Sequence, residues 1–177
     1  MRAVPIAVTA LSALVLLTAC DDGGGGGKSG QSGGRACAID TVSMEAGPAS
    51  VAPAAGDTGE VPVSFTNQSS ECTLEGFPQV RLTGAGGSSV TREVPPAEGA
   101  KAQKLTLAKG ESAAFTVTYV RGASGSGSFR AKDLRVVFPS EAGDPSTRVF
   151  RWSYGPIAAG DGEELEVSVS AYQRIGD

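Results

Sequence analysis

Three cysteines and no histidine bound the chemistry open to this 177-residue chain. The commonest general base and the commonest metal ligand are both missing. No Ser-His or Cys-His arrangement can therefore form, and no Ser-x-x-Lys occurs to replace one. Gly30-Gln31-Ser32-Gly33-Gly34 has the G-x-S-x-G spacing of a nucleophile elbow. That motif works only at a strand-turn-helix junction with a histidine partner, and the sequence offers neither. Asp161, Glu163 and Glu164 could offer oxygens to Ca²⁺, but their spacing matches no calcium loop and solvated turn residues are the simpler account. No catalytic residue, metal site or cofactor is expected. What remains is the sulfur of Cys20, Cys37 and Cys72.

The elements around Cys20 say what that sulfur is for. Met1-Arg2 is a short basic start, and Ile6 to Leu17 is a mostly apolar run of 12 residues. Crossing the hydrocarbon core takes roughly 20 apolar residues, so this run is too short to span and fits a secretory leader. Leu17-Thr18-Ala19-Cys20 closes it and resembles the lipobox of bacterial lipoproteins, an aliphatic residue and two small ones before a cysteine. The resemblance implies cleavage after Ala19 and a diacylglyceryl group on Cys20, with acyl chains such as palmitate. Two acyl chains hold a protein stably at a membrane where one holds it only marginally. The plainer alternative is an ordinary leader cleaved near Ala19, with Cys20 incidental.

Three segments follow: a lipoprotein signal peptide over 1–19, the lipidated Cys20 with a flexible linker over 20–36, and one domain over 37–177. Of the 16 positions from Asp21 to Ala36, 8 are Gly, a composition that buries no apolar surface. In an oxidising compartment the two cysteines of the domain, Cys37 and Cys72, favour a disulfide once Cys20 is consumed by lipid. The alternative is two free buried thiols.

The domain reads as about nine short strands with regular turn signals and no amphipathic helix. Val61, Val63 and Phe65 alternate with Pro62, Ser64 and Thr66; Ala113, Phe115, Val117 and Tyr119 alternate with Ala114, Thr116 and Thr118. Pro62 cannot donate to a ladder, which predicts a missing pairing at that point of its strand. Gly84-Ala85-Gly86-Gly87 and Lys109-Gly110 read as reversals. Phe150, Trp152 and Tyr154 are expected on one face of a late strand, and Leu165, Val167, Val169 and Ala171 on one face of the last. Such spacing favours an all-β antiparallel sandwich over a barrel.

Asn67-Gln68-Ser69-Ser70-Glu71-Cys72-Thr73-Leu74-Glu75-Gly76-Phe77-Pro78-Gln79-Val80 resembles the signature of an actinobacterial lipoprotein family, domain of unknown function 4232. Leu107-Ala108-Lys109-Gly110-Glu111-Ser112-Ala113-Ala114-Phe115 is similar to that family's L-x-x-G-x-x-A turn and strand. The resemblance runs from Cys37 to Tyr119. It implies an immunoglobulin-like sandwich, an extracytoplasmic address and a Cys37–Cys72 bridge, and it implies no activity. Read from the residues alone, Asn67 suits a turn, Gly76 permits a backbone others resist, and Leu74 and Phe77 are expected to pack beneath the bridge.

Charge is segregated. Cys37 to Ala100 holds 8 acids and 2 bases, whereas Lys101 to Trp152 holds 9 bases and 4 acids. The net charge of −4 makes nucleic acid an unsuitable partner. Arg130, Lys132, Arg135, Arg148 and Arg151 are the candidates for contact with an anionic lipid or wall polymer, with Lys101, Lys104 and Arg121 as further members; scattered strand faces are the bland alternative. Trp152 with Tyr154 and Phe150 is either a sugar-stacking platform or core. The function expected is that of a lipoprotein at the extracytoplasmic face of the cell membrane. It displays a non-catalytic domain that binds another envelope protein or anionic polymer. The alternatives are a small-ligand receptor or an accessory subunit of an envelope enzyme or transporter. The sequence leaves the oligomeric state open.

Overall fold

The computed structural model describes residues 35–85, 90–125, 127–138, 145–160 and 164–176. The leader, Cys20 and the linker up to position 34 lie outside the described residues. So do the G-x-S-x-G stretch, residues 86–89 of the glycine reversal, and Asp161 and Glu163.

Thirteen short strands and no helix occupy the described residues. One sheet has the order β1 (Val42–Ala46), β2 (Thr58–Asn67), β7 (Ser112–Val120), β12 (Val167–Val169), with β13 (Gln173–Arg174) also pairing β7. A second has the order β10 (Ser146–Arg151), β9 (Ala131–Phe138), β4 (Gln79–Gly84), β5 (Thr91–Glu93). Two smaller pairs are β3 (Cys72–Gly76) with β6 (Gln103–Leu107), and β8 (Ser128–Phe129) with β11 (Ile157–Ala158). Every pairing between these strands is antiparallel. The excess over the expected nine comes from β3, which follows the Asn67 turn at once, and from β8, β11 and β13, each of two residues and too short to show a period.

The period-2 stretches form the centre. β2 and β7 pair over nine positions, Thr58↔Val120 to Thr66↔Ser112, so Val61, Val63 and Phe65 share a face with Phe115, Val117 and Tyr119. All six are buried. β9 and β4 supply Leu134, Val136, Phe138, Val80 and Leu82 to the same core. Phe65 of the first sheet meets Phe138 of the second edge-on, with centroids 6.4 Å apart. Each such side chain contributes roughly 1.5–3 kcal/mol by leaving water.

Pro62 stands in a strand paired on both sides, and only its missing N–H interrupts the pairing expected to fail there. Arg121 N–H donates to the Asp57 carbonyl, which sets the phase of the β2–β7 ladder and points the Pro62 nitrogen toward β1. β1 ends at Ala46, and Gly47 donates to the Pro62 carbonyl before the chain leaves. The missing donor thus falls where no acceptor remains in β1.

Two late expectations change. β10 stops at Arg151, and Trp152 and Tyr154 lie beyond it, where Gly155 takes a positive φ of 92° and the indole N–H donates to the Gly155 carbonyl at 2.7 Å. The last strand is reduced to Val167–Val169, and the chain then returns to β7 through Gln173–Arg174.

Candidate functional site

Cys37 and Cys72 form a disulfide, with Cα atoms 4.8 Å apart and both residues buried. Around it, the stretch Asn67–Val80 builds a structural hub. Asn67 is fully buried, and its amide donates to the carbonyls of Ser70 (2.8 Å) and Leu107 (2.9 Å) while its oxygen accepts from Ser69 N–H. Its backbone completes the knot: Gly110 N–H donates to the Asn67 carbonyl, and Asn67 N–H to that of Glu111. Gly76 and Gly110 both hold positive φ, at 84° and 86°. Leu74 enters the core, but Phe77 does not; it is half-buried beside Pro78 and lines a surface hollow instead.

Glu111 is a carboxylate that the hub uses, and sequence reading passed it over. Its oxygen accepts from Ala108 N–H at 2.8 Å and pairs with Arg174 at 2.7 Å. The Ala108 N–H first, and then Arg174, hold this carboxyl below the usual carboxylate range. Arg174 also donates to the Thr106 carbonyl, which ties β13 to β6. A Glu one residue past the Lys109-Gly110 turn is the sequence signal for such a cap.

The basic residues divide by role. Arg121 donates to the carbonyls of Ala52 (2.6 Å) and Pro53 and so holds the loop before β2. Lys104 faces Glu75 across β3 and β6 at 3.8 Å. The hairpin β9–β10 is different. Lys132 and Arg135 stand on β9, Arg148 and Arg151 on β10, with Asp133 as the only acid on either strand. Arg130 lies just before β9, exposed, its carbonyl taken by Ala85 N–H. Register separates these cations onto two sides. Val149 opposes Arg135, and Arg151 opposes Asp133, on the face turned from the core; Arg148 opposes Val136 on the core side of the same edge and is exposed. On the outer face Arg135 also opposes Arg81 of β4, whose guanidinium pairs with Glu93 at 3.0 Å. Arg135 Nε is buried without a hydrogen-bond partner among the described residues. The five candidates therefore do not share one flat face. Four of them line both sides of one hairpin that ends a sheet.

The aromatic candidates belong to the interior. Trp152 is 6 % exposed and edge-on to Tyr119 (5.1 Å) and Tyr154 (5.0 Å). Three adjoining hollows of about 160, 340 and 450 Å³ border β5 and the segment after it. Phe77, Val94, Pro96 and Leu165 give them apolar walls, and the Arg81–Glu93 pair lies at the rim. No group of three Cys, Asp or Glu side chains converges as metal ligands among the described residues.

No curated protein matches the chain. The profile of the family described as Domain of unknown function (DUF4232) matches residues 37–172, a span that runs from the first cysteine of the disulfide through the hub to the buried Tyr172 before β13. The chain belongs to the DUF4232 family.

Proposed function

We propose that this protein is an exported lipoprotein, held at the extracytoplasmic face of the cell membrane through Cys20, that displays an immunoglobulin-like sandwich as a non-catalytic binding domain. The observation that carries the reading is the buried Cys37–Cys72 bridge. Such bridges persist in oxidising compartments, and this pairing leaves Cys20 as the only remaining thiol in the chain. Two antiparallel sheets feeding one core, with Phe65 against Phe138 between them, support the sandwich. The clustering of chemically interesting surface groups at an open sheet end, rather than in a deep cleft, supports binding of another envelope component.

The anchor is tested by Cys20→Ala with cell fractionation. The variant should pass from the membrane fraction to the medium, and its persistence in the membrane would end the proposal. A second reading, a receptor for a small ligand or an accessory subunit of an envelope enzyme or transporter, draws on the hollows beside β5. It predicts that Phe77→Ala abolishes ligand capture without altering fractionation.

A further inference from the structure

We infer that the free edge of β10 is a docking site for an extended, acidic polypeptide segment, which adds to the β10-β9-β4-β5 sheet as a further strand. The inference deepens the binding-domain reading and rests on it.

The backbone geometry comes first. Trp152 N–H donates to the Lys132 carbonyl at 2.8 Å, which fixes the phase of the β9–β10 ladder. By antiparallel alternation Ser146, Arg148 and Phe150 bond to β9, while Thr147, Val149 and Arg151 turn their N–H and C=O groups outward. β10 ends its sheet, and no hydrogen bond between described residues uses those outward groups. Other sheet ends are less open. β5 has three residues and passes into a segment whose Pro95 and Ala97 bond to Val169, which also covers β12. β1 also turns three residues to its edge, but Val42 is buried and Met44 and Ala46 are half-buried against the core. β10 has six residues, and Val149 is 48 % exposed there.

Charge then selects the occupant. Lys132, Arg135, Arg148 and Arg151 against Asp133 give the two strands an excess of three positive charges in a chain whose net charge is −4, while the segment that joins them carries Glu141 and Asp144. A second copy docked edge to edge would bring the same excess against itself, which disfavours self-pairing. The distribution of the cations argues for a strand rather than a flat anionic polymer. A polymer lying on the outer face would meet Arg81, Arg135 and Arg151 with Glu93 opposite Arg81 and Asp133 opposite Arg151. A strand along the edge sends alternate side chains to both faces and so meets Arg148 as well. The segment that fits carries carboxylates on both faces and a small apolar residue beside Val149; main-chain bonds supply affinity and side chains supply choice.

The test uses the full chain purified in detergent and a displayed library of twelve-residue peptides half composed of Asp and Glu, with dextran sulfate as the non-peptide polyanion. Acidic peptides should be enriched over neutral ones, and Arg148→Glu should weaken them about tenfold. Val149→Pro should weaken them by a similar factor, because it removes an outward N–H and no ladder bond. Dextran sulfate binding should be indifferent to Val149→Pro. Equal peptide binding by Val149→Pro would overturn strand addition in favour of a surface for polyanions. No enrichment of acidic peptides would mean that the arginines only guard the edge. Should Val149→Pro fail to fold, hydrogen exchange on the unmodified protein decides: bound peptide slows the amides of Thr147, Val149 and Arg151, and their unchanged exchange overturns the inference. Retention of the protein in the membrane fraction beside any of these failures would leave the anchored-display reading standing.

Discussion

The β2–β7 centre and the β9–β10 end use the same strand chemistry to opposite ends. In β2 and β7 every second residue is buried, and those between are small or uncharged apart from Glu60, with Ser64 and Thr66 facing Ala114 and Ser112. Each of these strands is paired on both sides. In β10 the alternation lapses: Thr147, Arg148 and Val149 are exposed in succession, and only one side is paired. A strand whose inward positions are satisfied and whose outward positions are bland contributes stability and nothing else. A strand whose alternation breaks at a charged, half-paired edge contributes little stability and is free to meet a partner.

That contrast can be broken by experiment, beginning with the largest effect. Phe115→Ala should lower the unfolding free energy by about 3–5 kcal/mol in urea, whereas Val149→Ala should stay within about 0.5 kcal/mol. Equal costs would erase the distinction. Next, Cys37→Ser with Cys72→Ser should cost roughly 3–4 kcal/mol, mainly by freeing the unfolded chain over a sequence separation of 35; a loss below about 1 kcal/mol would shift the weight of the hub onto Asn67.

Tyr172 sharpens the interior side of the contrast. Burial pushes its hydroxyl up to about 12 from 10.0. A raised folded value means that this contribution is complete below the unfolded pKa and is lost as pH climbs from there through the folded one. Stability should therefore fall by roughly 2–3 kcal/mol between pH 10 and 12, and Tyr172→Phe should flatten that limb of a pH-denaturation series. The smallest effect belongs to the surface. Glu111 has a depressed pKa, so its contribution is present above the unfolded carboxylate value and lost as pH falls through the folded one. Glu111→Gln should remove a shallow, salt-sensitive acid limb from the melting temperature, and an unchanged limb would mean that the Ala108 and Arg174 contacts do not persist in solution.

Legibility in the sequence followed the same division. The centre was readable because burial on one face writes a period of two, and because Pro62, Asn67 and Gly110 each have a local geometric duty that their chemistry announces. The disulfide was reachable by counting cysteines and considering their compartment. The β10 end was only half readable. Its cations could be named, but which side of the strand each occupies depends on pairing with β9, and Arg148 and Arg151 sit at an odd spacing that separates them across the sheet. Trp152 and Tyr154 were placed on the wrong element because Gly155 ends the extended run after Arg151, a choice of φ that alternation does not encode. Phe77 was assigned to the core from its type, yet it follows Gly76, whose positive φ turns the chain, and lines a hollow on the surface.

The position of the disulfide also has a mechanical meaning. A pull on the chain from the N-terminal side of Cys37 enters the fold where Arg35 and Cys37 bond to Thr73 of β3, and crosses the sulfur atoms directly into the same strand at Cys72. β1 and β2 lie within the closed loop and are bypassed by the load. With the bridge reduced, the same pull would reach β1 and then β2, peeling the central sheet and releasing up to about 120 Å of chain from the 35-residue separation. The bridge thus acts as a short circuit for tension, and it protects the strands on which the interior depends.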